Sequence, residues 1–164
     1  FGYNLNLNYR NWDFTAFFQG VAGNEIFSAA KYDLYFNYDT NAPVDALNSW
    51  TPTNRNTKLP IAKTDNYSGG NALPSTFYIE DGSYLRLKNV QIGYTFPLTI
   101  LKKIGGLRSL RIYGSAQNLF TLTKYSLYDP EVGSNALFNK GIDGLGTSPA
   151  INARVYNMGL KLTF

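Results

Sequence analysis

The sequence predicts an all-β chain: an antiparallel up-and-down meander of about five strands, each with one apolar and one polar face. Three observations carry that prediction. Apolar and polar residues alternate over several segments of strand length, as in "GYNLNLNYR" at 2–10, and successive side chains of a strand point to opposite faces. The connections between these segments alternate between short and long. The composition is rich in aromatics and poor in charge: 16% Phe, Trp and Tyr, and 16% Asp, Glu, Lys and Arg over 164 residues. Disordered chains show the reverse balance.

The elements follow in order. In residues 2–10, Tyr3, Leu5, Leu7 and Tyr9 share one face and Asn4, Asn6, Asn8 and Arg10 the other. A tight turn at 10–12 leads to a strand over 12–21. There Trp12, Phe14, Ala16, Phe18 and Gly20 oppose Asp13, Thr15 and Gln19, with Phe17 intruding on the polar face. Over 24–38 the period becomes four, through Ile26, Ala30, Leu34 and Tyr38. This predicts a short helix capped by Asn24. Residues 39–77 read as loop. A long strand spans 81–97 and stops at Pro97. Its Val90, Ile92, Tyr94 and Phe96 share parity with Arg86 and Lys88. A connector at 98–106, a strand at 107–118, a second long loop at 119–150 and a final strand at 151–164 complete the chain.

Alternation alone leaves two architectures open. In a soluble sandwich the apolar face is the core; in a transmembrane barrel it meets lipid and the polar face lines the lumen. The connections run short (10–12), long (22–80), short (97–106), long (119–150). A meander then has both short turns at one end and both long loops at the other, the pattern of outer-membrane barrels. A lipid-facing Lys at the bilayer midplane costs about 2–4 kcal/mol. Lys161 lies on the polar parity and avoids that cost. Arg86 and Lys88 do not, so they are expected at the extracellular rim, snorkelling above the apolar band. Trp12, at a short turn, suits an interfacial aromatic girdle.

Several functions are excluded. The chain has no Cys and no His, so it supports no thiol nucleophile, disulfide, imidazole base or Cys–His metal centre. Its basic residues are scattered and form no nucleic-acid patch. No apolar run reaches the length of a transmembrane helix. The chain is expected to open on a strand rather than on a signal peptide. No cofactor is called for, and no carboxylate pair takes acid and base roles, so no enzyme is expected. Trp50, Tyr125 and Tyr128 are loop aromatics that would either stack on a sugar ring or pack the loops, packing being the commoner use. Asp129, Glu131 and Asp143 are weak candidates for a hard-cation site, since their spacing matches no calcium loop. Asp81 before Gly82 reads as turn chemistry, and "NYS" at 66–68 as an irrelevant glycosylation match.

The terminal "NMGLKLTF" resembles the C-terminal signal read by the outer-membrane assembly machinery, with Asn157, Gly159, Leu162 and Phe164 at its positions. "YIEDGSYLRLKNVQIGYTFP" (78–97), "LRIYGSAQNLFTLTKYSLYDPEV" (110–132) and "NSWTPTNRNTKLP" (48–60) resemble the C-terminal end of SusC/RagA-type TonB-dependent outer-membrane transporters. That resemblance implies about five strands of a plugged 22-stranded barrel in the outer membrane of a Gram-negative bacterium. It implies import of oligosaccharides or peptides through the TonB complex, under a SusD-like lipoprotein. Residues 1–164 are then expected to be the C-terminal part of the barrel domain, with the plug, the TonB-interacting segment and the earlier strands lying outside them. The rival expectations are a soluble β-sandwich that binds carbohydrate, with Leu5, Leu7, Leu160 and Leu162 buried in its core, and a plugless porin or adhesin barrel.

Overall fold

The computed structural model describes residues 1–36, 41–62, 70–102, 106–131, 142–143 and 152–164. In chain order the elements are β1 (Gly2–Tyr9), β2 (Trp12–Val21), β3 (Glu25–Ser28), α1 (Ala29–Phe36), a 3-10 turn (Val44–Asn48) and a second (Thr76–Tyr78). Then come β4 (Ile79–Asp81), β5 (Tyr84–Thr95), α2 (Leu98–Leu101), β6 (Ser109–Gln117), β7 (Thr121–Thr123), β8 (Ile142–Asp143) and β9 (Val155–Thr163). The chain divides into two compact units. One contains Phe1–Gly23, Ser83–Lys124 and Ile151–Phe164; the other contains Asn24–Gly82 and Tyr125–Ala150.

The first unit is a single sheet in the order β1-β2-β5-β6-β9, with β7 added beside β5. All its pairings are antiparallel. Arg10 and Asn11 alone join β1 to β2, because Tyr9 pairs with Trp12. Arg10 takes φ +53° to make that turn, a conformation that costs a non-glycine residue and is confined to tight turns. The Thr95 N–H donates to the Asn11 carbonyl and the Phe96 N–H to the Leu110 carbonyl. Both short connections therefore sit at one end of the sheet, and both long connections leave from the other. β5 has 12 residues. At about 3.3 Å per residue and a tilt of about 40°, it reaches about 30 Å, enough to cross a bilayer core.

Register makes the two faces continuous across the strands. One row reads Tyr9, Trp12, Tyr94, Ile112, Leu160, and the next Leu7, Phe14, Ile92, Gly114, Met158. The opposite face carries the row Asn6, Thr15, Gln91, Ser115, Asn157. Leu7 is 54% exposed, Leu160 65% and Met158 90%. A sandwich would have buried these side chains, so the soluble β-sandwich expectation is overturned.

The second unit holds a three-stranded sheet in the order β4-β3-β8. β3 pairs antiparallel with β4 and parallel with β8. Here the structure corrects two expectations. The helix starts at Ala29, not beside Asn24: residues 25–28 are strand, 25–27 pairing with 79–81, which places Ile26 in the core. Cross-strand burial overrides the four-residue periodicity that also fits this segment. The 119–150 segment, read as loop, contains β7 and β8. The glycosylation match at 66–68 lies outside the described residues.

Candidate functional site

The sheet's apolar face has an aromatic belt at the short-turn end. The Trp12 and Tyr94 rings lie 4.8 Å apart, and Tyr94 and Phe96 meet edge to face at 5.1 Å. Amphipathic rings suit a membrane–water boundary, and Trp12 stands in this belt beside the Arg10–Asn11 turn.

Arg86 overturns the snorkelling expectation. Between Phe17 and Phe18 the β2–β5 register slips: Phe17 pairs with Asn89, but Phe18 pairs with Leu87. Lys88 is the extra residue of a β-bulge, and a one-residue insertion exchanges the two faces beyond it. Below the bulge Val90, Ile92 and Tyr94 point to the apolar side. Above it Leu85 and Leu87 take that side, and Arg86 turns to the polar side opposite Gln19. Arg86 is 2% exposed and its Nε donates to Thr121 Oγ1 at 2.7 Å. β7 makes this possible, because Arg86 pairs with Thr121 in register. Asn118, at φ +51°, redirects the chain from β6 into β7.

Two glycines on the polar face act as windows for larger neighbours. Arg111 on β6 reaches over β5 to ion-pair with Asp13 on β2, crossing at Gly93. The Arg111 guanidinium also stands 5.0 Å from the Tyr113 ring centroid. The Tyr113 ring in turn covers Gly159 on β9, where any Cβ would collide with it. Gly159, read as part of an assembly signal, is thus also a seat for Tyr113. Asn157 shares its face, while Leu162 lies on the apolar side in register with Leu110. Phe164 is exposed.

The loop unit is built differently. Phe27, Tyr35, Phe36, Phe77 and Tyr78 contact one another at centroid distances of 5.4–6.2 Å. The Tyr78 hydroxyl donates to the Asn71 carbonyl at 2.7 Å, and the Tyr35 hydroxyl to Asp45 Oδ2 at 2.6 Å. Burial, with Tyr32 nearby, pushes the Tyr78 phenol up to about 12. Burial, then the hydrogen bond to Asp45, does the same to Tyr35. Glu80 ties the two long loops together. It pairs with Lys31 Nζ at 3.0 Å and accepts from the Ser126 N–H and Oγ, each at 3.0 Å.

Beside this aromatic cluster opens a cleft of about 640 Å³. Phe36, Trp50, Lys58, Ile61, Leu73 and Phe77 are among its walls. Trp50 is 38% exposed, so part of its ring is presented. Tyr125 is 6% exposed, so its ring is packed, and Tyr128 is 44% exposed. Asp129 Oδ1 accepts the Glu131 N–H at 2.9 Å, the self-bonding of an Asx turn. Among the described residues no group of three or more acids could hold a metal ion. Asp81 pairs with Glu25 at the end of β4 rather than within a turn. Lys58 and the cleft were not legible in the sequence, because residues 39–77 carry no periodicity. The parity clash of Arg86 and Lys88 was the available signal of the bulge.

A hydrogen-bonded antiparallel wall with one lipid-suited face, one polar face and its long loops at one end defines a segment of an outer-membrane β-barrel. Comparison with known proteins agrees. No family model matches the chain. TonB-dependent receptor P3 of Formosa agariphila is 37% identical over 167 residues, 99% of this chain and 16% of that protein. Receptor SusC of Bacteroides thetaiotaomicron is 28% identical over 167 residues, 99% of this chain and 15% of that protein. The solved RagAB peptide transporter superposes with a TM-score of 0.77 at 27% identity, over 99% of this chain and 17% of that one. The chain therefore spans about a sixth of the length of these relatives. It belongs to the SusC/RagA type of TonB-dependent outer-membrane transporters, as one segment of such a protein.

Proposed function

We propose that this chain forms part of the wall and outer loops of a TonB-dependent importer of oligosaccharides or peptides in the outer membrane of a Gram-negative bacterium. The single observation behind this reading is the registered pair of faces. Five strands expose a continuous apolar surface and line the other side with Asn, Thr, Gln and Ser. Kinship with transporters and receptors supports import rather than catalysis. In this reading residues 1–164 are the C-terminal part of the barrel domain. The plug and the segment that engages TonB belong to the remainder of the protein. A SusD-like lipoprotein covers the long loops, with Trp50 and Tyr128 on the side that meets cargo. β9, through Asn157, Gly159, Leu162 and Phe164, is the strand read by the assembly machinery.

Cysteine scanning of the whole transporter tests the reading, since these 164 residues contain no Cys. Leu7→Cys and Met158→Cys should react with a lipid-soluble maleimide and resist an aqueous one. Asn6→Cys and Asn157→Cys should show the reverse. The opposite pattern would overturn the membrane orientation. Uptake that persists in cells lacking TonB would overturn the coupling.

A further inference from the structure

We infer that the loop-unit cleft seats the apolar side chain of an anionic peptide, with the Lys58 ammonium taking its carboxylate. This rests on the importer reading and narrows its substrate class. The cleft volume of about 640 Å³ lies within the range of ligand pockets, about 300–1,000 Å³. Its walls are chiefly apolar: Phe36 and Phe77 from the aromatic cluster, with Trp50, Ile61 and Leu73 partly exposed around them. Such a lining rewards burial of an aliphatic or aromatic side chain.

The polar groups set the charge of the occupant. Lys58 is the one charged residue among the described lining residues. An ammonium has three donors and no acceptor. The Thr57 hydroxyl already accepts the Leu59 N–H at 3.1 Å. The Asn71 amide already donates to the Ile61 carbonyl at 2.6 Å. No carboxylate lines the cleft among the described residues, whose neutral polar side chains are Thr57, Asn71 and Ser75, so the many hydroxyl donors of a sugar ring would find no charged acceptor there. Buried hydroxyls without acceptors are costly. A peptide brings a side chain that needs none and an acceptor-only carboxylate that matches Lys58.

A second observation, from the other unit, agrees in sign. On the polar face of the sheet Arg111 pairs in register with Lys161. Asp13 neutralises Arg111, which leaves the short-turn end of this face with an excess cation. An anionic cargo is attracted by both surfaces.

The test uses the whole transporter in detergent and calorimetric titration with three probes: the peptide Gly-Gly-Leu-Phe with a free C-terminal carboxylate, the same peptide as its C-terminal amide, and a neutral glucose oligomer. The free acid should bind more tightly than the amide, by about fivefold as expected for one exposed ion pair. Lys58→Gln should abolish that difference. Trp50→Ala should weaken both peptides, on the order of tenfold. Equal binding of acid and amide, binding untouched by either substitution, tighter binding of the glucose oligomer, or no peptide binding would each overturn the inference. Energised uptake by the Lys58→Gln and Trp50→Ala transporters separates the two readings. If TonB-dependent uptake persists while the cleft fails its test, the importer stands and this site does not.

Discussion

In the sheet, Trp12, Tyr94, Ile92 and Leu160 turn outward, in register, to a medium that welcomes them. In the loop unit, Ile26, Phe36 and Tyr78 turn inward and are almost fully buried. The two units share one chain and one composition, yet obey opposite rules of burial. The sheet satisfies its backbone by strand pairing and leaves side chains to lipid, as a membrane demands. The loop unit hides its aromatics from water and depends on side-chain packing. Stability in the sheet should therefore tolerate large apolar changes on its outer face and reject charge there. The loop unit should reject truncation.

The largest effect expected is in the loop unit. Phe36→Ala removes a ring that meets Tyr35, Phe77 and Tyr78. It should destabilise that unit by about 3–5 kcal/mol. Hydrogen exchange on the whole transporter should show lost protection in 24–36 and 76–82 while the strands of the sheet stay protected. Protection lost equally in both units would break the distinction.

Next comes charge on the lipid face. Leu160→Arg should cost about 2–4 kcal/mol and reduce the amount of folded transporter in the membrane. The adjacent Gly159 faces the other way but is covered by Tyr113, so Asn6→Arg, on the polar face of β1 and in register with Thr15, is the better control and should fold normally. Heat-modifiability on gels, which separates folded from unfolded barrels, measures both. Equal loss in the two variants would sink the assignment of faces.

A smaller effect belongs to the Asp13–Arg111 pair. The side chains are 28% and 21% exposed, so water screens them and the pair is worth about 1 kcal/mol. Asp13→Asn should lower folded-state stability by about that much, with the loss diminishing in high salt. A loss several times larger would mean that the ion pair, rather than strand pairing, holds this end of the sheet.

Much of the sheet was legible in advance because strand periodicity is local. The strands at 2–10, 12–21 and 107–118, and the segregation of loops, need only side-chain alternation and turn residues. The bulge at Lys88 was not legible. A two-residue period read along one strand cannot reveal an extra residue defined by its neighbours, and only the misplacement of Arg86 hinted at it. The segment at 25–28 failed for a related reason: its partner strand lies more than 50 residues away. The cleft was least visible of all. Trp50 was picked out as an isolated ring, whereas Lys58, Leu73 and Phe77 acquire meaning only from a loop fold that no periodicity announces.

The subtlest contrast is in proton affinity, and it exists only where phenols are buried from water. Tyr78 and Tyr35 are each raised to about 12, burial being the first cause in both. Each hydroxyl also donates a hydrogen bond, to the Asn71 carbonyl and to Asp45, which requires the neutral form. In the unfolded chain a tyrosine ionises near pH 10. The folded pKa lies above the unfolded one, so the stability linked to these protons is complete below about pH 10. It declines as pH rises from there through about 12, because the unfolded state then binds fewer protons. At neutral pH no effect is expected. Absorbance at 295 nm should show tyrosinate forming late from these two residues, and Tyr35→Phe with Tyr78→Phe should delete that late component. If the double variant titrates identically to the parent, the loop unit does not shield its phenols, and the contrast between a lipid-facing sheet and a water-excluding loop core loses its chemical signature.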